Sequence, residues 1–506
     1  MTSRLELEQP DNLTPGGTVP PQSWPSRLIS VETDAGWANY FLLVFLFVFA
    51  LSLPHSIAFS QASAALALLA WLLRDLVARR FHFARTAMDR PLLLFAGLTA
   101  LSSFLSTEPS LSIPKLKSLL LFGVVYVLAT NLNRRGARVL AGLLVASSLV
   151  SVGYSLLEKV RGRGMVITSI APGSPLEGSG LAPGDVIWMI GRTRVASPEE
   201  AAAAIRGLPA GVTVNVESLH EGDPLDVKLT VSESLQAQPN PLGITAGGRS
   251  RRFRVSGFSR QYMTYAEQMQ ILALFVLGGL LTGLKRRAGY TGLYALLFAL
   301  FALALMLTAS RAVIASFLVA VLVVAISVGG RLAPVLALVT ALVVGGLGYL
   351  VVTSARQQAT MNFADDSSAR RLAYMRAGLR VIPQHPLLGV GMDSHKRHWR
   401  EWGFPGEYIT HTHSTPIQIA LDRGLPALAA YGWLIAAMLW MARRAWRRAR
   451  ETGDALAQSL HLGVFGALLG FSLSSLANYN FGDSEALMLL LFVVGLSIVL
   501  GKSDAP

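Results

Sequence analysis

Cysteine is absent from the 506-residue chain, which removes disulfides, thiolate metal sites and a cysteine nucleophile while leaving the compartment open. Charge is scarce as well. Only 15% of residues are Asp, Glu, Lys or Arg against 52% hydrophobic, with a mean hydropathy of +0.48, and a soluble globular domain carries about 25% charged residues. No apolar core of a signal peptide lies near the start. Residues 1–35, which include TPGGTVPPQSWP, are polar and read as a disordered cytoplasmic tail. No His-Glu-x-x-His occurs, which argues against an intramembrane zinc protease. No repeat links the two halves, which counts against a transporter built from repeats.

Long apolar runs are present instead. They fall near 37–54, 57–78, 90–107, 115–131, 137–157, 263–284, 289–309, 312–328, 332–353, 425–442, 457–478 and 484–501, each close to bilayer length. The expected fold is therefore an all-α polytopic membrane protein of about twelve transmembrane helices. The net charge of +14, from 44 basic and 30 acidic residues, does not call for nucleic acid, because the basic residues cluster between runs. Arg74, Arg79, Arg80 and Arg85 follow the second run, and Arg134, Arg135 and Arg138 the fourth. Lys285, Arg286 and Arg287 follow the sixth, Arg331 the eighth, and Arg443, Arg444, Arg447, Arg448 and Arg450 the tenth. Placing these in the cytoplasm closes the alternation with both termini inside. The membrane segments are then 36–159, 263–353 and 425–506.

Two polar insertions fall on the outer side. In the first, residues 160–262, the β-branched segments VTVNVESL and LDVKLTV flank the helical SPEEAAAAIRGL. That pattern predicts a small α+β domain over 160–235 and a basic linker over 236–262. GSPLEGSGLAPGDVI resembles the signature of bacterial PDZ domains, and the resemblance covers 163–232. Ser174-Pro175 and Gly180-Leu181 are expected to cap a short helix, and Gly184-Asp185 to turn into the next strand. PDZ domains add an extended peptide to a sheet edge, which implies a periplasmic protein or peptide partner; packing on the membrane part is the other reading. Leu242-Gly243-Ile244 looks like a carboxylate-binding loop but lies after the last expected strand, so the sequence does not place the groove.

The linker segment RSRRFRVSGFSR is basic although it lies outside, which anionic headgroups or a pyrophosphate would explain. Arg311, in LTASRAVIASF, stands at the outer edge between two spans, where it is a functional candidate or a snorkelling side chain. In the second insertion, residues 354–424, Leu372, Met375, Leu379 and Ile382 recur at helical spacing among Arg370, Arg371, Arg376 and Arg380. An amphipathic helix along the interface follows, ended by Pro383 and Pro386. Gly389 and Gly391 permit a tight turn. The loop ends in EYITHTHSTPIQIALDRGLPAL, where His411 and His413 precede an apolar segment interrupted by an Asp422-Arg423-Gly424 turn. Imidazoles just above a membrane helix can act on a lipid-anchored substrate; ordinary loop histidines are the alternative. In an extended segment, the two side chains would face opposite ways.

Four stretches in order resemble the O-antigen ligase family of membrane glycosyltransferases and its relatives, the O-antigen polymerases and protein O-oligosaccharyltransferases. They are RVSGFSRQYMTYA with Arg254 and Gly257, TASRA with Arg311, RRLAYMRAGLRVIPQHPLLGVG with Arg371, and HSTPIQIALDRGLPAL with His413. Ser414 stands where asparagine is frequent and Pro416 where an aromatic is frequent, and the PDZ insertion is outside the usual pattern. The resemblance implies transfer of a glycan from undecaprenyl pyrophosphate to an acceptor hydroxyl (lipid A core, another glycan or a protein) on the periplasmic face of the bacterial inner membrane. No metal or other cofactor is implied. Arg254, Arg311 and Arg371 would hold the pyrophosphate, His413 would be the general base, and His411, Gly389 and Gly391 would support it. Polymerase and protein-transferase chemistry stay open, as does a non-enzymatic transporter or scaffold with a PDZ adaptor. A metal held by His395, His398, His411 and His413 lacks carboxylates at ligand spacing.

Overall fold

A computed structural model describes residues 27–31, 36–220, 223–251, 253–330, 366–406 and 411–502, with residues 338, 342, 345 and 346. Most of the amino-terminal tail, most of the 332–353 run and the start of the second insertion lie outside the described residues. Helices α1 (Gly36–Ser52), α2 (Ile57–Val77) and α3 (Asp89–Phe104) are followed by α4 (Pro109–Asn131), whose residues 113–122 are wound as 3₁₀ helix, and α5 (Arg134–Arg161). The inserted domain comes next, with helix α6 (Pro198–Arg206). Then follow α7 (Tyr262–Arg286), α8 (Thr291–Leu307), α9 (Arg311–Val328), α10 (Asp366–Val381), α11 (Thr415–Glu451), α12 (Ala455–Ser474) and α13 (Ser484–Leu500). Seven of these helices are long and apolar enough to cross a membrane, and α1, α8 and α13 are shorter apolar helices. The protein is a multi-pass membrane protein.

Short polar side chains set the helix starts. Ser56, Asn133, Asp454 and Asp483 each accept a backbone N–H of the first turn of α2, α5, α12 and α13, satisfying donors that have no partner within the helix. Helices α7 and α12 form the centre of the bundle. A Cβ on Gly278 would lie 2.1 Å from the Ser459 carbonyl oxygen, and one on Gly463 2.1 Å from that of Phe275. Lipid gives helices no hydrophobic drive to associate, so close backbone approach through small residues supplies the packing.

The inserted domain has its own core, built on Met165, Ile167, Leu176, Ile187, Ile205 and Val216. Its antiparallel sheet comprises β1 (Met165–Ile170), β2 (Val186–Ile190), β3 (Thr193–Arg194), β4 (Thr213–His220), β5 (Asp223–Thr230) and β6 (Ile244–Ala246). The strand order is β5-β4-β2-β1-β6, with β3 against β2. Two expectations change here. Residues 175–180 form successive turns where a short helix was expected, with i→i+3 bonds such as Ser179 N–H to the Leu176 carbonyl. Strand β6 lies in the segment read as linker, and Leu242-Gly243 leads directly into it. Arg163 and Ser250 exchange two backbone hydrogen bonds, of 2.7 and 3.1 Å, so the ends of the domain meet.

Candidate active site

The loop after α10 is clamped onto α11. Val390 N–H donates to the Leu421 carbonyl at 2.8 Å, Gly391 N–H to Asp422 at 2.9 Å and Leu425 N–H to Pro386 at 2.8 Å. Ser102 of α3 places its hydroxyl between the Leu388 and Asp422 carbonyls, at 2.6 and 2.9 Å. These contacts need bare backbone. Gly389 lies against Leu421 and Arg423, Gly391 against Ser106 and Ser112, and Gly424 against Leu387. Gly389 and Gly391 thus hold the loop in place rather than line a reaction centre. Helix α11 is broken at Gly424 (φ 83°, ψ 171°) into a buried half and a long span. The Asp422-Arg423-Gly424 stretch is therefore a helix end inside the protein, where the sequence suggested a turn.

The segment before α11 is fixed from two sides. Thr412 N–H donates to Gln418 Oε1 at 2.7 Å, and Thr415 N–H to the Ser475 carbonyl at 2.8 Å. His413 has φ +57°, so the alternation of an extended chain fails. The two imidazoles come together, with ring centroids 4.3 Å apart, and do not face opposite ways. His413 N–H donates to His411 Nδ1 at 3.2 Å. A neutral His411 therefore carries its proton on Nε2. The His413 ring stacks on Tyr374 at 5.8 Å, and its buried Nδ1 has no hydrogen-bond partner among the described residues. Burial, then the His411 and Arg371 charges, push the His413 pKa down to about 3. Burial, then His395, Arg371 and Lys396, push that of His411 down to about 4.

Arg254 lies in the segment before α7, Arg311 opens α9 and Arg371 is on α10, and contacts with Tyr262, Met263 and Ser368 link them. Arg254 is buried with its guanidinium 4.6 Å above the ring of Tyr262, the first residue of α7. Arg371 reaches the sulfur of the next residue, Met263, at 3.6 Å. Arg311 donates to Ser368, three residues before Arg371 on α10, at 3.0 Å. Arg371 acts electrostatically on both histidines. On α10, Leu372 and Leu379 are exposed together with Arg376 and Arg380, while Ala377 and Val381 are buried. Ile382 just beyond it, expected on the apolar face with the two leucines, is buried as well.

A cavity of about 950 Å³ connects this region to the side of the bundle. Its polar end includes Lys115, Arg260, His411, Arg423 and Tyr479 together with the carboxylates of Asp393, Asp422 and Glu485; its other wall is apolar, with Ile57, Leu68, Leu72, Leu120 and Phe122 from α2 and α4. Leu72 and Leu120 are also exposed on the bundle surface. His411 lines this cavity, and His413 sits one ring behind it.

Two residues here escaped the sequence analysis. Glu267 of α7 is 2% exposed and accepts from Ser474 (2.8 Å), Asn478 (3.3 Å) and Asn480 (3.3 Å). It steadies the turn that receives Thr415, and its signal was a carboxylate inside an apolar run. Arg423 gave the same kind of signal but was masked by its turn-like neighbours. His395 is buried 3.5 Å from Asp422. Among the described residues, no three His, Asp or Glu side chains form a group able to hold a metal ion.

The cavity thus joins a polar end, with one imidazole, guanidinium groups and carboxylates, to an apolar wall. Residues 296–432 match the family model described as O-Antigen ligase, and residues 147–231 match that of a PDZ domain. The chain thus carries the domain of a glycosyltransferase-type enzyme of ligase or polymerase kind, with a PDZ domain ahead of it. Arg311, Arg371, His411 and His413 fall inside the first match, and Arg254 lies outside both. The magnetosome formation protease MamE of Magnetospirillum gryphiswaldense is 34% identical over 93 residues, 17% of this chain. The chain spans only 12% of that relative's length.

Proposed function

We propose that the protein transfers a glycan from undecaprenyl pyrophosphate to an acceptor hydroxyl, of lipid A core or a related cell-surface molecule, at the periplasmic face of the bacterial inner membrane. The cavity carries this reading: its apolar α2–α4 wall suits a polyprenyl chain, and its polar end holds Arg423 and His411, the latter within the field of Arg371, where a pyrophosphate would lie. In the same proposal twelve helices leave both termini in the cytoplasm, and residues 354–424 form the catalytic loop. His413 takes the proton of the acceptor hydroxyl as that oxygen attacks the anomeric carbon. The glycosyl–phosphate bond breaks, and Arg254, Arg311 and Arg371 take up the charge on the leaving pyrophosphate. Polymerase or protein-transferase activity differs only in the acceptor. Purified protein given the lipid-linked donor with each acceptor class in turn tests the reading; no transfer to any of them rejects it.

Charge-assisted hydrogen bonds contribute about 1.5–3 kcal/mol each. Replacing any one of Arg254, Arg311 or Arg371 by alanine is therefore expected to cost about one to two decades in turnover. Lysine should rescue poorly, because it lacks the planar fork. Donor-lipid affinity and turnover measured for each variant check this; three variants indistinguishable from the parent would remove the assignment.

The PDZ domain recruits a periplasmic partner and takes no part in the chemistry. Strand β6 is a sheet edge, follows the Leu242-Gly243 loop and lies beside α6, which suits a peptide added between β6 and α6. Because Arg163 and Ser250 are already paired, residues 164–249 can be replaced by a short turn. That deletion is expected to keep most transfer by purified protein and to lower it in cells. Loss of purified activity from a well-folded deletion protein would count against a recruiting role.

A further inference from the structure

Arg423 is 4% exposed and lines the cavity with Tyr479 as a side-chain neighbour, yet most of its donors lack a good acceptor. Its Nη2 donates to the sulfur of Met392 at 2.9 Å, a weak acceptor. Its contact with Asp422 is long, 3.9 Å from Nη1 to Oδ2. That carboxylate is already engaged by Gln418 at 2.9 Å and faces His395. Nε and Nη1 make no hydrogen bond among the described residues. A guanidinium withdrawn from water with two of its nitrogens unused is costly to keep, and the cost is offset when an anion occupies the space in front of it.

The surroundings say which anion. Phe95 lies under the guanidinium at 5.7 Å and also lines the cavity, as do Leu119 and Phe122 beside it. Lys115 and Lys396 line the same end; both pair with Asp393, at 2.7 and 2.9 Å. The carboxylates Glu267, Asp422, Asp483 and Glu485 line the cavity too, so it is the unpaired Arg423 donors, not a net positive charge, that call for an anion. Arg423 thus sits where the apolar α2–α4 wall gives way to polar side chains, as a headgroup site would. The three proposed arginines lie before α7, on α9 and on α10, whereas Arg423 comes from α11 on the wall beside α3.

We propose that Arg423, assisted by Lys115 and Lys396, is a further phosphate-binding residue, which receives the phosphate of a lipid whose chain lies along α2 and α4. This rests on the reading of the donor as lipid-linked. Full-length protein in nanodiscs is titrated with undecaprenyl pyrophosphate and, separately, with inorganic pyrophosphate. Arg423→Met is expected to weaken undecaprenyl pyrophosphate binding at least tenfold. The inorganic anion should bind far more weakly to the parent, because it lacks the chain that fills the apolar wall; equal affinity for both would overturn the headgroup assignment. The double variant Asp422→Asn/Arg423→Met separates binding from ion pairing, since it leaves no buried carboxylate without its partner. It should bind as weakly as the single variant, and recovery of parental affinity would overturn the proposal. Parental binding by Arg423→Met would overturn it while leaving the lipid-linked donor intact. Failure of the parent itself to bind the lipid would overturn both.

Discussion

His413→Ala is expected to lower turnover by about 10²–10⁴-fold, the usual contribution of a general base, while donor lipid still binds. The His413 ring has an unused Nδ1 and is held by Tyr374 and by a left-handed backbone. His411→Ala removes only the acceptor for the His413 N–H, a bond contributing about 0.5–1.5 kcal/mol, so it should lose about a decade at most. The pH profile gives a second readout. With pKa values pushed to about 3 and 4, both imidazoles are neutral in the free enzyme at neutral pH, and kcat/KM should lack an acid limb near the ordinary histidine value. Donor pyrophosphate brings negative charge beside Arg371, which raises the imidazole pKa and makes His413 a better base only in the loaded site. The acid limb of kcat should therefore lie at higher pH than that of kcat/KM. A His413→Ala protein that folds and turns over at the parental rate would refute the base assignment.

The same two pKa shifts bear on stability. An unfolded chain would bind protons at both histidines below about pH 6.5, whereas the folded site resists them until about pH 4 and 3. Stability is thus fully present above the unfolded value and declines as pH falls toward the folded ones.

What the sequence made legible was whatever repeats over short distances. Bilayer-length apolar runs, the helix α10 and the strand-turn pattern of the inserted domain depend on neighbours within a few residues. The pairing of His411 with His413 depends on one residue with positive φ, and no periodicity reports that. Arg423 looked like part of a surface turn because Asp-Arg-Gly is turn-like chemistry; its burial comes from Met392, Phe95 and Tyr479, all distant in sequence. Likewise Leu242-Gly243-Ile244 became interpretable only once β6 was seen to pair with β1. The ordered arginine and histidine motifs were readable singly, but the contacts with Tyr262, Met263 and Ser368 that link the arginines are a product of the bundle.

Gly424→Ala is expected to disable the enzyme from a position that touches no substrate. Gly424 sits at φ 83°, ψ 171°, a region nearly closed to other residues and costing about 1–3 kcal/mol. Its new Cβ would meet the Leu387 carbonyl oxygen at 2.2 Å, and overpacking adds about 1–3 kcal/mol. Because the obstacle is backbone, relief requires the 386–391 turn to leave α11. That motion breaks the Leu425–Pro386 and Val390–Leu421 bonds and releases the Ser102 anchor. The histidine segment and Arg423 then lose the frame that positions them. Gly389→Ala should behave alike, since it has φ +65° and its Cβ would meet the Leu421 oxygen at 2.4 Å. Gly432→Ala is the matched control in the same helix: it has ordinary helical backbone and nothing within 4 Å of the added carbon, so it should be neutral or stabilising by about 0.5–1 kcal/mol. Thermal unfolding and glycan transfer measured on the three purified variants decide the matter. Gly424→Ala protein that unfolds and turns over like the Gly432→Ala control would show that the clamp between loop and helix does not hold the site.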